Sequence, residues 1–322
     1  MNAREHLLRR LFRMQRQEEY EGFVKPALAA GEEKHGENLN GLYRNLGPEA
    51  MEHLSAILER RKKILSPAVA SYRDLYSDAE YEQFKEVERF GQQITQWGDY
   101  FQYKHFKLPL RSFGAETFLY RHGLDRLKTA KNIGSKAIID VGGFIADSVL
   151  VFRDAFPEQP VYSFEPNNLN YALACKTLEI NNLSVSGGEP LIVMENIALG
   201  EAAGVGKISA AAGGGARLLE KGKKDGQGVS IDTLDHYVAE HAIRVGLIKV
   251  DVEGHEQSFL RGALETLKTW KPVLLVSIYH SYDDFFRIKP FLEDLDLGYS
   301  FDFFKGIDGR ISTETMLLCE VR

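Results

Sequence analysis

Four ionisable residues, Asp251, Glu253, His255 and Glu256, crowd one short stretch of the chain, between Val250 and Gln257. An imidazole that titrates near neutrality can take a proton from a hydroxyl, and neighbouring carboxylates can orient the partners. Asp251, Glu253 and His255 are therefore candidate catalytic groups. The preceding Gly246–Val250 is apolar apart from Lys249, and a helix-compatible stretch runs from about Gln257 to Trp270. The charged turn thus joins a buried strand to a helix. Acids at a helix start favour the helix dipole, which accounts for Glu256 and Glu253 but gives no reason for His255. A second histidine, His280, ends the apolar run Val273–Tyr279. The carboxyl ends of adjacent strands in an open α/β sheet share one crevice, so His255 and His280 are both candidate bases at one pocket. Oxygen and imidazole donors also suit Mg²⁺, Mn²⁺ or Zn²⁺, so a divalent metal is the competing use of this set. No metal ligands are assigned.

These groups need a framework, and Ala137-Ile138-Ile139-Asp140-Val141-Gly142-Gly143 begins one. A short apolar run ends in an acid, two glycines follow, and a helix-compatible segment opens at Asp147 and Ser148. This reads as a first strand, a tight turn and a helix start, the usual place of a nucleotide-like cofactor. Gly142 and Gly143 let the backbone come close to a ligand, and the small Ala146 lets the helix pack tightly on its strand. Asp140, Gly142, Gly143, Asp147 and Ser148 are the candidate cofactor residues of this segment. A second strand, Val161–Glu165, ends in an acid 25 positions after Asp140. A carboxylate there can accept both hydroxyls of a ribose; the alternative is an acid that simply faces water. Pro166 ends the strand, and Asn167 or Asn168 can cap the next helix.

Together these segments resemble the FkbM-type methyltransferases, a Rossmann-like class that uses S-adenosylmethionine. The resemblance rests on IIDVGGFIADS at 138–148, FEPNN at 164–168, ENIALG at 195–200, SIDTL at 230–234 and IKVDVEGHE at 248–256, with a weaker match at 271–280. It covers roughly residues 95–322. Phe144 and Ala146 stand where the family more often has asparagine, or another small residue, and glycine. Ser277-Ile278-Tyr279-His280 stands where many members carry a glutamate before the isoleucine. The resemblance implies S-adenosylmethionine as cofactor, with its methionine end in the Gly142–Gly143 turn, its ribose on Glu165, Pro166 also at the cofactor, and its adenine flanked by Asn196 to Ala198. Asp251 orients cofactor or acceptor, and the acceptor is a hydroxyl of a sugar, glycan or secondary metabolite. An NAD-dependent oxidoreductase is the alternative, although the turn lacks the G-x-G-x-x-G order that seats a pyrophosphate. A binding module that has kept the fold and lost turnover is the third reading.

The expected fold is α/β: a doubly wound, mostly parallel seven-stranded sheet with an antiparallel edge, preceded by a helical region. The boundary is placed near residue 100, giving a helical region over 1–99 and a methyltransferase domain over 100–322. In the helical region, Leu7, Leu8, Leu11 and Phe12 form a stripe beside four arginines, suited to an anionic membrane surface or to packing on its own domain or a partner subunit. The stretch from about Ala29 to Gly47, with four glycines, reads as looser. A homodimer through these helices is a candidate assembly. Ser77 and Glu80 have capping-box spacing. Tyr100–Pro109 reads either as the rim of a substrate pocket or as a packed linker, and Ala210–Gly228 as a mobile connection. The net charge of −6 disfavours nucleic acid as the main partner. No apolar run reaches the roughly 18 residues of a membrane span and no signal-peptide pattern is evident, so a cytoplasmic protein is expected. With two cysteines, Cys175 and Cys319, a disulfide framework is not expected.

Overall fold

The computed structural model describes residues 3–183, 191–208 and 226–321. Strands β1 (Thr95–Trp97), β2 (Tyr100–Tyr103) and β3 (Phe106–Leu108) form an antiparallel ribbon. Then come β4 (Ala137–Val141), β5 (Val161–Phe164), β6 (Ile192–Glu195), β7 (Ala198–Leu199), β8 (Gly204–Ile208) and β9 (Gln227–Asp232). The last four are β10 (Val245–Val250), β11 (Val273–Ser277), β12 (Tyr299–Phe304) and β13 (Met316–Val321). The principal sheet has seven strands in the order β12-β13-β11-β10-β4-β5-β6. Its β11-β10-β4-β5-β6 portion is parallel throughout. Every residue of β4, β10 and β11 is buried, as continuous apolar runs require when both faces of a sheet are covered. A small sheet, β7-β9-β8, lies apart from it. The apolar patterning of the sequence predicts strands at Ala137–Val141, Val161–Glu165, Leu191–Met194, Leu247–Asp251, Val273–Ile278, Tyr299–Phe304 and Thr315–Val321, and all seven are present with ends shifted by at most two residues.

Two compact units make up the chain: Met1–Gln92 with Ile278–Leu318, and Gln93–Ser277 with Cys319–Arg322. Residues 278–318 thus group with the N-terminal helices, although they follow the strands of the sheet in sequence. Apolar faces on segments far apart in sequence find each other there. Phe12, Ile64, Tyr72 and Phe84 share one core with Ile307 and Ile311. The Tyr72 hydroxyl donates to the Gly309 carbonyl at 2.7 Å. Periodicity within a segment carries no information about such partners.

The first helix, Ala3–Glu19, packs within its own unit: Phe12 is buried, and Arg16 donates to the carbonyls of Ile64 and Ser66 at 2.8 and 3.3 Å. Leu7 and Leu11 stay exposed. The stretch expected to be loose is instead a helix, Glu32–Tyr43, with Gly36 and Gly41 inside it. Gly41 is there for close approach, since a Cβ would stand 3.2 Å from Pro290 Cγ in the helix Tyr282–Asp294. The capping box forms: Ser77 N donates to Glu80 Oε2 at 2.8 Å and Glu80 N to Ser77 Oγ at 3.3 Å.

In the second unit the Tyr100–Pro109 segment supplies β2 and β3. Asn181 pins it, its side chain accepting from Lys107 N at 3.0 Å and donating to Lys107 O at 2.7 Å. Most of Ala210–Gly228 lies outside the described residues. Among the described residues, no helix is long and apolar enough to cross a membrane.

Candidate functional site

The second unit gathers the tips of β4, β5, β6 and β10. Asp140, at the β4 end, is fully buried. Its Oδ2 accepts from Ser148 Oγ at 2.9 Å and Ser163 Oγ at 2.8 Å, and its Oδ1 lies 3.3 Å from Lys249 Nζ. Lys249 also donates to the Gly142 carbonyl at 2.9 Å. Asp140 and Ser148 thus hold the turn from beneath, and Lys249 ties β10 to it. Burial favours the neutral amine, yet the carboxylates of Asp140, Asp251 and Asp147 hold Lys249 above the usual lysine range. In the sequence Lys249 looks like an ordinary interruption of an apolar strand; a lone cation in a run buried on both faces is the signal that marks it.

The two glycines have a structural reason beyond any ligand. Gly142 has φ +86°, and a Cβ there would stand 1.8 Å from the carbonyl oxygen of Asp251. A Cβ on Gly143 would stand 2.2 Å from Ser163 Oγ. These glycines let neighbouring strand ends touch. Phe144 and Ala146 follow with φ +46° and +62°, an uncommon backbone for residues with a Cβ. Asp147 opens the helix Asp147–Ala155, half-buried, and burial raises its carboxyl to about 6.

Glu165 follows β5 and is buried. Its Oε2 accepts from Phe144 N at 2.9 Å, and its Oε1 from Asn167 N at 2.8 Å. Oε1 also accepts from Asn170 Nδ2 at 3.5 Å, so Oε2 is the oxygen that keeps capacity for a further donor. Burial pushes this carboxyl up to about 7, against the amides of Asn167 and Phe144, which favour the ionised form. Asn167 caps the next helix, accepting from Leu169 N and Asn170 N. The Pro166 carbonyl accepts from Gln227 Nε2 at 2.8 Å. Asn196, past the end of β6, donates to the Glu165 carbonyl at 2.9 Å, which sets it beside the β5 tip. The Ala198 methyl packs in a small cluster with Ile208 and Val229.

At the β10 end, Asp251 N donates to Val141 O at 2.9 Å, fastening the acidic turn to the glycine turn. Glu253 and Gly254 have φ +55° and +94°. Strained backbone of this kind persists where surroundings over-determine it and clusters at functional sites. His255 is half-buried and precedes the helix Glu256–Arg261. Glu256 is fully buried and accepts from Val252 N at 2.9 Å, closing the turn from within. Asp251, Glu253 and His255 are thus presented on one short turn, whereas His280 belongs to the first unit.

His122 carries no signal in the sequence. It sits among consecutive left-handed residues, Arg121, His122 and Gly123, at φ +50°, +52° and +81°. Its Nε2 is buried without a hydrogen-bond partner among the described residues. Burial and the Lys249 charge lower the imidazole to about 3, so it is neutral at pH 7, and the charge of Asp251 also reaches it. An orphaned nitrogen felt by two strand-tip charges suits a ligand that supplies the missing partner. The residues present therefore fit a nucleoside-bearing cofactor: a carboxylate with open acceptor capacity, a glycine turn and an orphaned imidazole.

The largely parallel seven-stranded sheet, with glycine- and acid-bearing turns at its carboxyl ends, is a Rossmann-like arrangement. The model of the Methyltransferase FkbM domain matches residues 132–301, more than half of the chain, and the chain belongs to that family. It is similar to a crystal structure of methyltransferase FkbM from Methylobacillus flagellatus KT, with 16% identity and a TM-score of 0.55 over 88% of this chain and 58% of that one. A tRNA (uracil-54, C5)-methyltransferase of Pyrococcus abyssi is similar at 13% identity and a TM-score of 0.35, over 69% of this chain and 44% of that one. The chain therefore spans about half the length of these relatives. A comparison with curated proteins found no match.

Proposed function

We propose that the chain transfers a methyl group from S-adenosylmethionine to a hydroxyl oxygen of a sugar, glycan or secondary-metabolite acceptor. The observation that carries this reading is the tie between the Gly142 turn and the Asp251–His255 turn, with Glu165 beside them. Bound there, the cofactor supplies a methyl group already activated on a sulfonium. The protein then has to align the acceptor and receive its proton. Alignment of bound reactants is worth roughly 7–11 kcal/mol, and a positioned base adds about 100-fold to 10,000-fold. His255 takes the hydroxyl proton in this scheme, with His280 as the other candidate base. Asp251 and Glu253 orient the acceptor or the cofactor. Glu165 accepts the ribose hydroxyls, and Asn196 flanks the adenine.

Cofactor affinity is the test. Ribose hydroxyls donate to an ionised carboxylate, and the Glu165 carboxyl sits at about 7 without ligand. Binding should therefore tighten as pH rises through 7, by up to about tenfold per unit below it, with release of a proton. Without ligand the sign is opposite. The raised carboxyl favours the folded state below its unfolded range near 4.5, and that contribution is lost as pH rises through about 7. Glu165→Ala should cost about 10-fold to 100-fold in affinity, the worth of a charge-assisted hydrogen bond. Calorimetry at pH 6 and 8 with S-adenosylmethionine and, separately, NAD reads all of this. Unchanged affinity in folded Glu165→Ala, or tighter binding of NAD, would refute the assignment.

A further inference from the structure

The helical unit holds a cavity of about 660 Å³, within the roughly 300–1,000 Å³ of small-molecule sites. Its apolar walls include Phe23, Ala27, Leu28, Leu39, Leu58 and Leu65. Leu28 is 71% exposed at its edge, and most of the other wall residues are half-buried, so the apolar surface opens to solvent. Phe23 lies on a π-helical turn, Tyr20–Val24, an irregularity that recurs at functional sites.

One wall residue sets the chemistry. Arg61 is buried, its guanidinium carbon 3.3 Å from the Phe23 ring centre and 4.5 Å from that of Phe285. Its Nε donates to Glu19 Oε2 at 3.2 Å, and that same oxygen accepts from Ser312 Oγ at 2.8 Å. Its Nη1 is buried with no hydrogen-bond partner among the described residues. A buried donor left unmatched is costly, so this is a place built for an acceptor. The acceptor should carry no charge. Glu19 already balances Arg61, and a second anion beside it would be repelled. The remaining charged groups along the cavity, Glu32, Glu59 and Lys62, are of mixed sign and offer no field that favours an ion.

We propose that this cavity binds an uncharged amphiphile, an aliphatic or acyl chain bearing a carbonyl oxygen that accepts from Arg61 Nη1. The chain would lie against Phe23, Leu39 and Leu58. This site is independent of the methyl-transfer reading.

The probe is N-methyldecanamide, titrated into the full chain by calorimetry beside decanoate. One molecule should bind, about 10-fold or more tighter than decanoate at pH 7.5. Arg61→Lys keeps a cation facing Glu19 and loses the planar fork, so amide affinity should fall by about 10-fold or more. Leu39→Trp fills the cavity from a half-buried position and should abolish binding with the circular dichroism spectrum intact. If Arg61→Lys fails to fold, Leu39→Trp decides. No binding to the folded chain, equal binding to the filled variant or a preference for decanoate each overturns the proposal. So does a dimer, seen by sedimentation, that Leu39→Trp dissociates, because a second copy would then own the groove.

Discussion

Lys249→Met should destabilise the chain by about 3–5 kcal/mol, the range for removing one partner of a buried ion pair. Methionine fills much of the same space, so the loss comes from electrostatics more than from a cavity. Asp140 would remain fully buried with two serine donors and no cation, and the Gly142 carbonyl would lose its Nζ donor. Chemical denaturation checks the magnitude. The double variant Lys249→Met, Asp140→Asn should recover more than half of it, since no lone charge is then left in the core. A single variant as stable as the parent would show that the pair contributes nothing net. S-adenosylmethionine affinity should fall in the single variant as well, because the glycine turn loses a support.

Replacing His255 or His280 with glutamine should lower turnover by at least about 100-fold for one of the two, with cofactor binding unchanged. Glutamine keeps a polar side chain and removes the proton-accepting range. His255 stands on the strained turn after β10, where Glu253 and Gly254 adopt left-handed backbone. His280 follows β11 in the first unit. Turnover with a glycan or natural-product acceptor, followed by mass spectrometry for one added CH₂, separates them. Full activity in both variants would place the base elsewhere. Activity lost in a variant and restored by a divalent metal would favour the ligand reading of Asp251, Glu253 and the histidines.

The strands were legible because they are apolar runs of the right length between turn residues. β4 and β12 have the expected ends, β5, β11 and β13 differ by one residue at one end, and β6 and β10 are shifted at both ends. Glu165 and the Asp251–His255 turn were legible because charged residues after such runs must lie at sheet ends. Lys249 and His122 were not, since their roles depend on neighbours in three dimensions. The glycines between Ala29 and Gly47 misled for the same reason. Gly41 reads as a breaker, yet its lack of a Cβ lets one helix approach Pro290 of another. Residues 278–318 continue the sheet pattern in sequence while sharing a core with Phe12 and Tyr72, a pairing no local periodicity can express.

The contact between Gly142 and the Asp251 carbonyl has a thermodynamic corollary. In the proposed scheme one turn serves the methyl donor and the other the acceptor, and no side chain separates their backbones. A displacement of either must be met by the other, so occupancy of the two sites shares a coupling free energy. Linkage makes that energy reciprocal: whatever factor the donor applies to acceptor affinity, the acceptor returns in full. Substitutions in the Val252–Gly254 stretch that broaden the choice of acceptor would then shift donor affinity too.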